Sequence, residues 1–114
     1  MEKVFNMAFG KIFPLYVAKA TKKDKTYEQV IEIMTWLTGY TQKQIESMAQ
    51  SGITMKEFFD NAPCLNPKRS EIKGVICGVR VESIDDPLMQ NIRYLDKLID
   101  ELAKGKSMDK ILRQ

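Results

Sequence analysis

The sequence predicts an all-α fold, a compact bundle of six or seven short helices in a single domain over residues 1–114. Two observations carry this prediction. Three segments begin with a capping box, in which a Thr and a Gln or Glu three residues later satisfy each other's backbone N–H groups. Two further segments begin with an Asn-Pro or Asp-Pro pair. Extended structure is expected at most in minor segments, at 79–82, which alternates for only four residues, and at 4–9, which is apolar without a clean period.

The first half of the chain contains four of the predicted helices. Proline suits the first turn of a helix because its missing N–H has no partner there, so a helix is expected from Pro14 to about Lys23. The capping boxes predict the next three helices, over 27–38, 42–51 and 55–61. The helix 27–38 is apolar over most of its circumference, which predicts a position in the middle of the fold.

The second half contains the strongest helical pattern. An Asn-Pro pair at 66–67 predicts a helix that continues to Val79. An Asp-Pro pair opens the helix 87–104, whose apolar residues alternate spacings of four and three, and Ser107 caps a short terminal helix. The polar face of 87–104 is expected to be solvated. It consists of Gln90, Arg93, Asp96, Lys97, Asp100 and Glu101.

Composition excludes several kinds of chemistry. The chain contains no His, so mechanisms that need an imidazole base are excluded, and two cysteines alone cannot complete a zinc site. We therefore expect no cofactor, no metal and no enzymatic activity. Cys77 lies among apolar residues and is expected to be buried, whereas Cys64, beside a proline, is expected in an exposed loop. Without a leader or long apolar run, a cytoplasmic location with no membrane contact is expected.

Positive charge is concentrated at the two ends of the chain. Residues 1–25 sum to +4 and residues 104–114 to +3. If the ends meet in space, they form one basic patch, and the simpler interpretation is that these are solvated helix ends. The patch would contain Lys19, Lys22, Lys23, Lys25, Lys104, Lys106, Lys110 and Arg113.

A helix-turn-helix interpretation is the alternative for the middle of the chain. The Gly39-Tyr40 turn joins two predicted helices, and the second, 41–49, begins with Gln and Lys side chains that can contact bases. Against this, residues 26–62 carry a net charge of −3, and a plain helical hairpin explains the same spacing. The candidate nucleic-acid contacts are Gln42, Lys43, Lys22, Lys23, Lys106 and Lys110.

Other motifs have structural explanations. Trp36, Tyr40 and Tyr94 could form a ligand surface, but aromatic residues at helical spacing are more typical of a core. The acidic pair 85–86 is explained as a helix cap. The Gly-Lys-Ser at 105–107 lacks the earlier glycine and the strand that a phosphate loop needs.

Four stretches of the sequence, 13–20, 36–41, 62–67 and 74–105, resemble a family of small bacterial proteins designated domain of unknown function 2200. The resemblance extends over nearly the whole chain and is most specific over 74–105. It implies a small, mainly helical cytoplasmic protein with an orthogonal bundle. It implies no activity and no catalytic or ligand-binding residue.

Together these observations predict a non-enzymatic helical protein that acts through macromolecular interaction, with a protein partner or with itself. Binding of nucleic acid through the helix 41–49 or the basic chain ends is the alternative hypothesis.

Overall fold

The computed structural model of the protein describes residues 3–114; residues 1 and 2, which begin the predicted domain and its basic N-terminal segment, lie outside the described part. The described residues form six α-helices and one two-stranded hairpin, which confirms the all-α prediction. The helices are α1 (Phe9–Thr21), α2 (Tyr27–Thr38), α3 (Gln42–Ser51), α4 (Met55–Asp60), α5 (Pro87–Ala103) and α6 (Met108–Ile111). The hairpin pairs β1 (Val75–Ile76) with β2 (Val79–Arg80), and 3₁₀ helices lie at Lys3–Asn6, Pro67–Glu71 and Val81–Ser83. Within this range, no helix combines the length and the apolar character needed to cross a bilayer.

The three capping boxes form as predicted. Thr26, Thr41 and Thr54 each accept a hydrogen bond from the backbone N–H three residues on, and the Gln or Glu at that position accepts one in return. The helices α2 and α3 then end at Gly39 and Gly52, both with φ near +80°. Local side-chain chemistry therefore sets the boundaries of these helices, and the predicted bounds of α2 and α3 match the observed ones.

The first helix begins at Phe9, five residues before the predicted start at Pro14. Its N-cap, Ala8, has no capping side chain. Instead, the Phe9 N–H donates to the Ile53 carbonyl at 2.8 Å, and the Met55 N–H donates to the Met7 carbonyl at the same distance. A tertiary backbone bridge therefore starts α1, and this bridge leaves no local sequence pattern.

The helix predicted from 66–67 to Val79 is wrong beyond its first turns. Asn66 does accept a hydrogen bond from the Lys68 N–H, but the helix is a 3₁₀ segment that ends at Glu71. A hairpin follows, and its two-residue turn has positive φ at both Cys77 (52°) and Gly78 (78°). The turn places Cys77 at the surface, so its predicted burial is also wrong, whereas Cys64 is exposed as expected.

The core is one continuous apolar cluster centred on α2, α5 and the start of α1. Phe9 stacks on Phe58 with ring centroids 4.1 Å apart. Tyr40 is buried, and its hydroxyl donates to the Phe58 carbonyl at 2.7 Å. Trp36 is half-buried against the same cluster. These aromatic residues therefore belong to the interior, as the spacing of α2 predicts.

Candidate functional site

The helices α1 and α5 lie side by side and run in the same direction. The Tyr16 hydroxyl donates to Asp96 at 2.5 Å, and one turn further along both helices Lys19 pairs with Asp100 at 3.0 Å. Two parallel neighbouring helices place their C-terminal ends at the same corner of the molecule. Each end carries the partial negative charge of its free carbonyl groups, so cations are favoured there.

The structure corrects the expectation that the polar face of α5 is solvated. Asp100 and Glu101 are only 8% and 5% exposed, because α1 and the C-terminal segment pack over them. Asp100 pairs with Lys19 and with Lys104, each at 3.0 Å. Burial alone would raise the pKa of Asp100, but the two ammonium groups lower it below its ordinary value.

Glu101 forms the second buried acidic centre. Both of its oxygens accept from the guanidinium of Arg113, at 2.6 and 3.0 Å. Lys106 approaches the same carboxylate at 3.2 Å. The C-terminal segment is thereby held against the end of α5 by a bidentate pair, which has a fixed geometry as well as charge.

Seven lysines surround this corner, and the six that come from the two ends of the chain, all except Lys97, form what we call the basic surface. They line two depressions, of about 450 and 620 Å³, that share Asp100 and Lys104. The two basic ends of the chain therefore do meet in space. The basic surface consists of Lys19, Lys22, Lys23, Lys104, Lys106 and Lys110.

An apolar ridge of α1 borders the basic surface. Pro14, Leu15 and Ala18 are exposed along it, and the Leu15 side chain is 62% exposed. Leu15 and Ala18 line the same 450 Å³ depression as Lys19, Lys22 and Lys23. Apolar side chains that remain uncovered next to a rim of charge are typical of an interaction surface.

The structure divides the candidate nucleic-acid contacts into two groups. Lys22, Lys23, Lys106 and Lys110 belong to the basic surface. Gln42 instead donates to the Glu46 carboxylate at 3.1 Å.

Lys43, the remaining candidate for contact with nucleic acid, is exposed on α3 and lines a separate depression together with Tyr40 and Asn61. The start of α3 is thus associated with an acidic neighbour, Glu46, and not with the basic surface.

Sequence reasoning missed the exposed Leu15 and the two buried carboxylates. A signal for Leu15 was available, since Lys11 and Lys19 lie four residues before and after it and place it on the polar face of α1. No comparable signal marks Asp100 and Glu101, because the segments that bury them are distant in sequence or follow a turn.

The fold and the basic surface define a small helical protein with an uncovered, lysine-rimmed face. Residues 3–113 match the family described as an uncharacterized protein conserved in bacteria (DUF2200), and the chain belongs to that family. The chain is 43% identical to the uncharacterized protein SP1917, whose crystal structure superposes with a TM-score of 0.93 over 99% of this chain and 93% of that one. No curated protein matches the sequence. Neither description names an activity, and the family resemblance seen in the sequence is confirmed.

Proposed function

We propose that the chain is a non-enzymatic protein-binding module whose partner presents an acidic, partly apolar segment. The observation that carries this proposal is the exposed Leu15 within a depression lined by four lysines, Lys19, Lys22, Lys23 and Lys104. An apolar side chain of the partner would cover Leu15 and Ala18, and its carboxylates would face the lysines. Complementary charge of this kind favours one class of partner and speeds the encounter.

The basic surface keeps a positive charge after its internal ion pairs are counted. Asp100 and Glu101 are engaged by Lys19, Lys104, Lys106 and Arg113. Within residues 3–114, the other lysines of the surface, Lys22, Lys23 and Lys110, form no ion pair with a carboxylate. Their charge is therefore available to a partner.

Self-association through this face is disfavoured, because two copies would oppose their lysines to each other. We accordingly propose a partner of different sequence, and we expect the isolated chain to sediment as a monomer. A dimer that Lys22→Glu strengthens and Leu15→Ser abolishes would replace the acidic partner with a second copy.

We place this function in the cytoplasm and assign it no catalytic step. Cys64 and Cys77 are exposed free thiols, which suit a reducing compartment. The absence of His removes the most usual general base.

Binding of nucleic acid is the second candidate, and one observation favours it. The lysines of both chain ends, Lys22 and Lys23 with Lys106 and Lys110, lie on one surface, where they can contact phosphates. The exposed ridge beside them favours a protein instead, since a phosphate backbone gains nothing from Leu15.

One titration distinguishes these candidates. Fluorescence anisotropy would follow two labelled probes, a helical peptide with Leu and Glu at helical spacing and a short DNA duplex, over about 50–200 mM salt. We expect the peptide to bind more tightly. Leu15→Ser and the double change Lys22→Ala, Lys23→Ala should each weaken it about tenfold, equivalent to about 1.4 kcal/mol.

Lys43→Ala supplies the matched control, because it removes an exposed lysine outside the basic surface and should leave peptide binding unchanged. Tighter binding of the duplex, lost with the paired lysine change and insensitive to Leu15→Ser, would favour nucleic acid. Binding of neither probe would refute the proposed function.

A further inference from the structure

A larger depression lies between α1 and α3, next to the apolar ridge, and we call it the α1–α3 groove. It has a volume of about 690 Å³, within the range of small-molecule sites. Its walls are mainly apolar, and none of the residues that line it, all within 3–114, carries a positive charge. The apolar lining comes from Phe13, Pro14, Val17, Ala18 and Ala49.

A carboxylate lies in the wall of the groove. The Tyr27 hydroxyl donates to Glu46 Oε2 at 2.6 Å, and the Gln42 amide donates to the same oxygen at 3.1 Å. Within the described chain the other oxygen, Oε1, receives no hydrogen bond. The two donors lower the pKa of Glu46, and burial together with the bond to Glu46 raises the pKa of Tyr27 to about 12. At neutral pH the glutamate is therefore charged, and the tyrosine keeps its proton.

The proline inside α1 affects a second hydrogen-bond acceptor, the Gly10 carbonyl. Pro14 is the sixth residue of the helix and has no N–H, so it cannot donate the helical bond to the Gly10 carbonyl. Gly10 and Pro14 both line the groove. The same proline thus contributes apolar surface and leaves the Gly10 carbonyl without its usual helical donor.

We propose that the α1–α3 groove binds a small amphiphilic cation, an apolar body that carries a primary ammonium or a guanidinium group. The apolar body packs on Phe13, Pro14 and Val17, and the cation donates to Glu46 Oε1. An anion is repelled by the same carboxylate, and no lysine or arginine lines the groove to attract it. The groove shares Ala18 with the depression beside the basic surface but none of its lysines, and the carboxylate that the proposal uses belongs to the groove alone, so the proposal does not depend on the proposed function.

Three probes of similar size test the charge preference, benzylamine, benzyl alcohol and phenylacetate. Each would be titrated into the ¹⁵N-labelled chain and followed by amide chemical shifts. We expect benzylamine to bind several-fold, up to about tenfold, more tightly than benzyl alcohol, since a hydrogen bond between two charged groups is stronger than one from a neutral hydroxyl. The largest shifts should map to Gly10, Val17 and Ala49, and phenylacetate should bind most weakly.

Glu46→Gln tests the assigned carboxylate. It should reduce benzylamine binding to the level of benzyl alcohol, while Glu32→Gln, which neutralises an exposed carboxylate on α2, should change nothing. Pro14→Ala restores a donor for the Gly10 carbonyl and should weaken benzylamine about twofold to tenfold.

The proposal is wrong if phenylacetate binds as well as benzylamine, or if Glu46→Gln leaves the preference intact. It is also wrong if the shifts map outside the groove. Far-UV circular dichroism of each variant would show that the helices are retained.

Discussion

The two sides of α1 are packed by different means. Towards α5, long charged side chains join the helices, as in the pairing of Lys19 with Asp100. Towards α3, the backbones themselves come close: a Cβ built on Gly10 would lie 2.1 Å from the Ala49 carbonyl oxygen. The α5 side leaves a depression of about 450 Å³ rimmed by lysines, whereas the α3 side opens into a mainly apolar groove of about 690 Å³.

The two sides of α1 therefore differ in the chemistry of the surface that each leaves open. On the α5 side, the long Lys19 side chain reaches the buried Asp100 carboxylate while its ammonium group stays partly exposed to solvent. Gly10 permits close approach at one point, and the neighbouring Pro14 and Val17 are too short to fill the space beyond it. The same helix therefore borders a lysine-rimmed depression on one side and a mainly apolar groove on the other.

Removing Glu101 should produce the largest effect, on the α5 side. In Glu101→Gln the guanidinium of Arg113 loses a bidentate partner while it remains mostly covered, with 12% of its side chain exposed. We expect the free energy of unfolding to fall by about 3 kcal/mol. This value is at the lower end of the range for removing one partner of a buried ion pair, because Lys106, the second cation at Glu101, is partly exposed to solvent. Urea denaturation would measure it.

Asp60→Asn is the matched control, since it breaks an exposed pair with Lys56 and should leave the unfolding free energy unchanged. An equal loss in both variants would contradict the assignment of Glu101 as a buried centre.

Gly10→Ala should produce the next largest effect, on the α3 side. The added methyl group overlaps the Ala49 carbonyl, so α1 and α3 must separate. We expect a net loss of about 1–3 kcal/mol, typical of overpacking, although alanine has the higher helix propensity. Thermal unfolding would measure the loss, and a stabilised variant would show that the two helices are not in close contact.

The acid stability of the α5 side should depend on Asp100. Its pKa is lowered in the folded state, so it stabilises the fold above the unfolded-state value of about 4, and this contribution is lost as the pH falls through the folded-state pKa. Urea titrations from neutral pH down to about pH 2 would therefore show declining stability. Asp100→Asn should flatten that decline, and an unchanged slope would argue against the ion pairs.

Leu15→Ser should have the smallest effect on stability, within about 0.5 kcal/mol, because its side chain is 62% exposed. The same variant is expected to weaken peptide binding about tenfold, so its effect on binding is much larger than its effect on stability. A large loss of stability would place Leu15 in the core, and the ridge would no longer be a binding surface.

Local side-chain chemistry in the sequence was sufficient to predict where the helices α2, α3 and α4 begin. Each has a Thr capping box at its start, and α2 and α3 have a glycine with positive φ at their ends. These interactions join residues no more than four apart, so they can be recognised without knowledge of the fold. The cap of α5 at Asp86, whose carboxylate accepts from the Met89 N–H at 2.9 Å, follows the same rule.

The remaining features depend on which segments become neighbours in space. The start of α1 at Phe9 needs the backbone of Ile53, and the burial of Asp100 needs α1 beside it. Hydrogen bonds and ion pairs between distant segments leave no periodic pattern in the chain. The order of residues in the sequence shows that lysines are concentrated at both ends of the chain. Only the parallel packing of α1 and α5 brings those ends to one corner of the molecule. There, the free carbonyl groups of the two helix ends and two buried carboxylates attract positive charge.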